Sequence, residues 1–467
     1  MKTLTYSRLN NYSMITFQWI TKRFVLLFLI GSFSAQAQEL NQVQKESQSS
    51  AAKWMQTAEL PAQASEADAV KKRPGLVNTT ISTAKRWLNS TDLPGDLQIH
   101  GFASQSYITT SDNDVFGNSD HGGSFGFTEA GLNASVRPLP RLQISAQMLS
   151  RRAGEGNSGM PRLDYGFLDY RLYSQEANQF GIRVGRLKNP LGFYNETRDV
   201  AFTRPSILLP QSIYFDRTRN LGLSSDSIQL YGDTAHSSLG SVSAQFGIAL
   251  PVVGDRDTEV AFLTVPRPGH LTRDISYIGR GIYETNDKRI RLAVSGTWVN
   301  IGYNPSINES LGSGSIQFSP IYFSAQYNAE RWSLTSEYAL RHFVYSGFHN
   351  PRIDSLNFFG ESFYFQGEYR FTPKWEGILR YDVLFTDRAD RNGSHFAATD
   401  PLKRPAHSRF AKDITVGLRW NVTPEFMLRA EYHRVNGTGW LSTLDNPINV
   451  PTEQHWNLFA IQASYRF

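Results

Sequence analysis

Seventeen charged side chains fall at alternate positions of short segments whose intervening positions are apolar. Arg137, Arg151, Arg171, Arg183, Arg291, Arg341, Arg370, Arg380, Arg419 and Arg429 are the cations. Glu129, Asp169, Glu337, Glu368, Glu376, Asp382 and Glu431 are the acids. Charges spaced by twos share one face of an extended chain. Scattered over so many segments, they form no bond-making constellation. They suit a wetted inner wall, where placed charge sets the field felt by a passing ion. Most of these arginines are expected to pair with the acids and stiffen that wall.

A second concentration of charge lies in GRLKNPLGFYNETRDVAFTRPSILLPQSIYFDRTRNLG, Gly185 to Gly222. Residues 186–226 hold Arg186, Lys188, Arg198, Arg204, Arg217 and Arg219 against Glu196, Asp199, Asp216 and Asp226. The stretch is rich in Pro and Gly yet carries Phe193, Phe202, Ile207, Leu208, Leu209, Ile213 and Tyr214. A loop this long is usually functional. Its apolar residues would make an odd solvated surface, so the loop is expected to fold inward and narrow whatever space the wall encloses. The residues expected at that constriction are Arg183, Lys188, Arg198, Arg204, Arg217 and Arg219. Arg291, Arg380, Arg419 and Arg429 are expected on the wall.

Other chemistry finds little support. Asp112, Asp114 and Asp120 in SDNDVFGNSD have carboxylate spacing that can ligate calcium, but no full EF-hand pattern follows. Asp387 and Asp390 beside Asn392 and Gly393 are similar, and both runs are read as solvated loop tips. The ten histidines show no His-x-x-x-His, and there is no nucleophile elbow or Gly-rich strand–helix junction. Cysteine is absent, which removes disulfides, thiolate ligands and thiol nucleophiles. No catalysis, cofactor or metal is expected.

The elements that carry the charged face are strands. Ile414, Val416, Leu418 and Trp420 alternate with Thr415, Arg419 and Asn421; Ile290, Leu292 and Val294 alternate with Arg289 and Arg291. About sixteen such segments follow Asp96, each about ten residues long, the length a tilted strand needs to cross a bilayer. Short turns alternate strictly with long loops at 111–123, 153–161, 186–226, 251–274, 300–314, 345–357, 386–410 and 437–454. Apolar outside and polar inside, with loops of two lengths, is the pattern of an outer-membrane barrel. The reading is therefore all-β: a transmembrane antiparallel barrel of about sixteen strands. The final FAIQASYRF puts Phe459, Ile461, Ala463, Tyr465 and Phe467 on one face. It is expected to close against Leu97–Thr109 and to carry the signal read by the outer-membrane assembly machinery.

The 467 residues are 40% hydrophobic and 13% aromatic, the latter in keeping with an interfacial belt. Lys22 and Arg23 precede FVLLFLIGSF and then SAQA, so residues 1–37 read as a secretory signal peptide cleaved after Ala37. The net charge of +5 includes Lys2, Arg8, Lys22 and Arg23 of this leader. What remains is close to neutral, which argues against a nucleic-acid partner. Residues 38–95 read as a periplasmic extension, flexible or partly helical, and 96–467 as the barrel.

GRLKNPLGFYNETRD resembles the strand-five exit of the phosphate-selective porin superfamily, through Gly185, Lys188, Pro190 and Gly192. The resemblance implies sixteen strands, a homotrimer, and passive transport of anions or small solutes through the outer membrane of a Gram-negative cell. The chain lacks the dense arginine and lysine ladder of the phosphate-specific members. The expectation is thus a diffusion channel with a weak preference for anions, in contact with outer-membrane lipid and lipopolysaccharide. The alternative is a receptor or adhesion barrel acting through its external loops.

Overall fold

The computed structural model describes residues 97–175, 177–236 and 239–467. The expected signal peptide and periplasmic extension lie outside the described residues. Sixteen long strands follow one another in chain order. They are β1 (Gln98–Thr110), β2 (Ser124–Leu139), β3 (Leu142–Ala153), β4 (Arg162–Gln175), β5 (Asn178–Lys188), β6 (Ser224–His236), β7 (Gly240–Pro251) and β8 (Ser276–Glu284). Then come β9 (Ile290–Asn304), β10 (Gly314–Asn328), β11 (Trp332–Ser346), β12 (Asn357–Arg370), β13 (Trp375–Phe385), β14 (Phe410–Asn421), β15 (Phe426–Gly437) and β16 (His455–Arg466). Each pairs antiparallel with the next.

The barrel closes where the terminal sequence implies. β16 pairs with β1 from Phe102↔Arg466 to Thr110↔Leu458. Beyond the ladder, the Phe467 amide donates to the Gly101 carbonyl at 2.9 Å and the Gly101 amide to the Phe467 carbonyl at 3.1 Å. The Phe467 ring lies on Gly101, where a Cβ would come within 2.3 Å of it. Closure leaves no unpaired edge, which a bilayer would penalise by several kcal/mol per exposed backbone group.

The two faces separate as the alternation requires. Leu379, Val416, Leu334 and Phe365 point outward and are more than half exposed. Their inward neighbours Arg380, Thr415, Thr335 and Gln366 are buried. Apolar outside and polar inside is the inverse of a soluble barrel, and the chain spans the outer membrane with these strands. At the short-turn end, Trp375 stacks on Trp420 with centroids 5.1 Å apart, and Tyr327 lies 5.3 Å from Trp332. Aromatic side chains so placed mark a membrane–water boundary.

The long loops all emerge from the other end. Loop three spans 189–223 rather than 186–226. Its flanking strands continue three residues further on each side, because Arg186 pairs across the ladder with Asp226 at 2.8 and 3.1 Å. The loop ends in a short helix, α1 (Arg219–Leu223). Loop four carries α2 (Arg256–Leu263), started by Asp255, whose carboxylate accepts from the Thr258 amide at 2.9 Å. It also adds a short strand, His270–Arg273, on β9.

Candidate functional site

Loop three lies inside the barrel. Leu191, Phe193, Phe202, Ile207, Leu208, Leu209, Ile213 and Tyr214 are all buried, so the apolar content noted in the sequence is spent on packing. Gly192 makes the first bend with φ +57°. A Cβ there would lie 2.4 Å from the Tyr214 hydroxyl and 2.7 Å from Glu337, so the position admits little but glycine.

The wall of β8–β15 grips this loop through its backbone. Glu337 accepts from the Phe193 amide at 3.0 Å and from the hydroxyls of Tyr214 at 2.6 Å and Tyr364 at 2.9 Å. Glu431 accepts from the amides of Ile207 and Leu208, the latter at 3.3 Å. Asp382 accepts from the Ser212 amide at 3.3 Å. Arg380 donates to Ser206 Oγ at 2.9 Å and to the Leu208 carbonyl at 3.0 Å. Arg429 donates to the carbonyls of Ser206 at 3.2 Å and of Arg204. A buried loop must satisfy its amides and carbonyls somewhere, and here charged wall residues supply the partners.

The opposite wall, β2–β5, holds the loop by charge. Glu129 meets Arg204 at 2.8 Å, Arg151 at 3.2 Å and Arg219 at 3.7 Å. Lys188 bridges Asp164, at 2.6 Å, and Asp199, which also meets Arg219. Arg151 reaches Asp216 at 2.6 Å, and Arg198 stands 3.6 Å from the same carboxylate. Buried charge is tolerable only when paired and hydrogen-bonded in this way.

The expected constriction residues therefore divide. Lys188, Arg198, Arg204 and Arg219 gather in this ion cluster, and the three arginines are buried. Arg217 is half-buried over the Phe215 ring at 5.4 Å, outside the network. Arg183 lies on β5, paired with Asp169 at 2.9 Å over the Tyr231 ring at 4.2 Å. On the wall, Arg291 covers Phe193 at 4.8 Å and Arg419 donates to Asn421 at 2.9 Å. The expected acid pairing of the inward arginines is corrected: of the ten, Arg151 and Arg183 meet carboxylates, whereas Arg380 and Arg429 donate to loop oxygens, Arg380 also to Gln366 and Thr415 on the wall. Sequence reasoning also missed Glu337, Asp382 and Glu431 as loop anchors, though it placed them on the inner face. No local signal marks them, since Glu431 and Ile207 stand 224 residues apart.

Between the loop and β6–β10 lies a cavity of ≈ 60 Å³ lined by Asn189, Leu191, Arg198, Ile213, Ala249, Ser276, Ile278, Val299, Phe318 and Tyr322, among others. Above loop three the other loops meet. Asn446 of loop eight bonds both the amide and the carbonyl of Asp114 in loop one, at 2.9 and 2.7 Å. Asp257 of α2 accepts from Ser442 at 2.9 Å, and Asp445 accepts from the Glu155 amide of loop two at 2.9 Å. Asp114 and Asp120 bond to each other, with Asp120 also on His121. Asp387 and Asp390 accept from the amides of Ala389 and Phe396, both at the starts of short helices. Among the described residues, no three His, Cys, Asp or Glu are grouped to hold a metal ion.

This geometry has counterparts among solved structures. The outer membrane channel DcaP of Acinetobacter baumannii aligns over 81% of this chain and 99% of its own, with TM-score 0.50 and 11% identity. OprB of Pseudomonas putida aligns over 83% and 97%, also with TM-score 0.50 and 11% identity. The fold is that of the outer-membrane porins. A third porin, the anion-selective one from Comamonas acidovorans, aligns over 79% and 98% at TM-score 0.47 and 12% identity. Comparison with protein-family models and with curated proteins gives no match.

Proposed function

We propose that the chain is a passive diffusion channel for small hydrophilic solutes, weakly anion-preferring, with loop three as its constriction. The observation that supports this reading is the loop itself, which is held inside a polar barrel from two opposite walls. Arg183 and Arg217 are the expected constriction cations that keep partial contact with the lumen. Lys188, Arg198, Arg204 and Arg219 act there through the field of their cluster, which holds more arginine and lysine than carboxylate. Arg291, Arg380, Arg419 and Arg429 complete the wall.

The working unit in this reading is a homotrimer. Its support on the chain is the outer face of β1–β3, where Gln105 and Thr128 bond at 2.7 Å amid Ala103, Ala130 and Ala146. The pair meets its own hydrogen bonds, Gln105 also donating to the carbonyls of Ser106, Phe125 and Phe127, and this small, polar patch interrupts the apolar belt where a protein neighbour would fit better than lipid. Elsewhere the belt meets lipid and, at its outer leaflet, lipopolysaccharide. FAIQASYRF serves the assembly machinery.

Purified protein in planar bilayers is expected to give ohmic single-channel steps. In asymmetric KCl, the sign of the reversal potential should indicate chloride preference. Arg183→Ala is expected to shift it toward cation selectivity. Absence of conductance would sink the reading. The second reading, a receptor barrel, draws on the joining of loops one, two, four and eight into one external surface. It predicts a non-conducting barrel whose partner binding is lost when residues 252–275 are trimmed.

A further inference from the structure

The outer face of the barrel is not evenly filled. Across β11–β16, toward the short-turn end, it carries an open groove of ≈ 710 Å³. Gly367, Gly377 and Ala430 make its floor, and the exposed Leu334, Leu379 and Leu418 stand as its banks. The register sets this relief. Gly367 lies between Leu334 and Leu379 on the neighbouring strands, and Leu418 lies between Gly377 and Ala430. Glu368 and Glu431 also border the groove, but their side chains belong to the lumen: Glu368 accepts from the inward Gln366 at 2.7 Å, and Glu431 grips loop three.

Two of the floor residues are glycines, for different reasons. A Cβ on Gly377 would come within 2.9 Å of the Phe371 ring, so this glycine makes room for protein. A Cβ on Gly367 would meet only Leu334 Cδ2, at 3.5 Å, which is ordinary contact. Its φ is not positive, and the ladders on both sides run through it without a shift of register. Glycine inside a strand costs stability. With neither a bulge nor a neighbour to require it, Gly367 marks close approach by something outside the chain. What surrounds this face is hydrocarbon. Trp332, Tyr369 and Phe371 put one end of the groove at the periplasmic boundary. Residues 329–331 and 370–374 flank that end and hold Arg331, Arg370 and Lys374 against Glu330. Arg370 donates to the carbonyls of Ala329 and Glu330 at 3.0 and 2.8 Å. Arg331 and Lys374 remain exposed at the headgroup level, where a surplus of positive charge attracts anionic lipid.

We infer that this groove is a binding site for one anionic phospholipid of the periplasmic leaflet, with an acyl chain laid over Gly367 and the headgroup at Arg331 and Lys374. The site stands apart from the channel reading, since solute passes inside the wall and the lipid rests outside it. Lipid tails are as apolar as leucine, so burial alone gives no preference for the groove. Dispersion contact between a chain and the banks of a gap that no side chain fills supplies the fit. The two cations select the headgroup.

The test is native mass spectrometry of the protein purified from outer membranes, stripped of lipid in detergent and titrated with palmitoyl-oleoyl phosphatidylglycerol or the matching phosphatidylcholine. The wild type should retain one phosphatidylglycerol per chain, about tenfold more tightly than phosphatidylcholine. Gly367→Leu and Ala430→Leu fill the groove from its floor, and each should weaken retention of both lipids by about tenfold. Arg331→Gln with Lys374→Gln should erase the headgroup preference and leave the phosphatidylcholine level unchanged. Heat-modifiable migration in SDS gels identifies which variants assemble, and either filled variant alone suffices for the acyl-chain arm. The wild-type competition decides the headgroup without any variant. Equal retention of the two lipids, no retained lipid, or undiminished retention in an assembled filled variant would overturn the site. A change of subunit number in a filled variant, with lipid retention intact, would also overturn it and make the groove a seam between copies of the chain.

Discussion

Glu431 shows how much a single lumen carboxylate does. It accepts from two successive amides at the inward tip of loop three, Ile207 and Leu208, and stands 3.4 Å from His433 Nε2. Replacing it with alanine strands both amides in a buried site, at about 1–3 kcal/mol each. Glu431→Ala is therefore expected to leave the barrel assembled but loosen the tip. The measure is single-channel noise: flicker between sublevels in the variant against steady steps in the wild type. A quiet variant would mean that Arg380 and Arg429 hold the tip unaided. Glu337 has the same function at the first bend, where it is met by four donors from Phe193, Tyr214, Tyr364 and Ser324. The inward facing of both acids was legible in the period-two pattern. Their partners were not, because a backbone amide leaves no mark in sequence and the contact joins distant segments.

Among the elements, α2 and loop eight form the piece most responsive to pH. Burial lifts the Asp257 carboxyl to about 6, with Asp255 and Asp445 nearby adding to it. Burial likewise lifts Asp445 to about 6, with Glu155 and Asp114 adding to it. Arg151 and Arg217 face the same junction from below. A carboxyl whose pKa is raised by docking, from 3.8 in the free loop, holds its proton more tightly docked than free. Docking of loop four on loop eight is thus firmest at low pH and weakens as pH rises through about 6. Hydrogen exchange of the Arg256–Leu263 amides should be slower at pH 5 than the intrinsic rate change explains, and faster at pH 7.5. Asp257→Asn should flatten that difference. Equal protection at both values would contradict the docking scheme. The sequence identified this segment as one long loop among eight. The helix within it and its neighbours depended on tertiary contacts.

For the molecule as a whole, strand number, loop alternation and closure were all legible, because each strand repeats one two-residue pattern and an even count fixes which end carries the long loops. The bounds of loop three were off by three residues on each side, since the ladder outlasts the alternation where Arg186 and Asp226 pair on the outer rim. Closure gives the global prediction. Gly101→Val places a branched side chain where the Phe467 ring lies, 2.3 Å from the position of its Cβ. The variant, and deletion of Phe467, should yield less heat-modifiable barrel in outer-membrane fractions, by about tenfold if the seam costs 1.4 kcal/mol. Wild-type yield from both would show that the seam tolerates a gap.

The clasp on loop three also imposes an order of events. Glu431 and Arg429 sit on β15, the second-last strand to be made, and the seam needs β16, the last. The loop tip thus waits for more than two hundred further residues before its partners exist. Those partners lie on an inner face that becomes an enclosed interior once β1 and β16 meet. Docking of the tip therefore belongs to the last stage of assembly, when β15 is in place. Long-range contacts of this kind make folding slow. Docking of the loop and sealing of the seam are thus neighbouring late events, since β15, which clasps the tip, is also the strand on which β16 pairs.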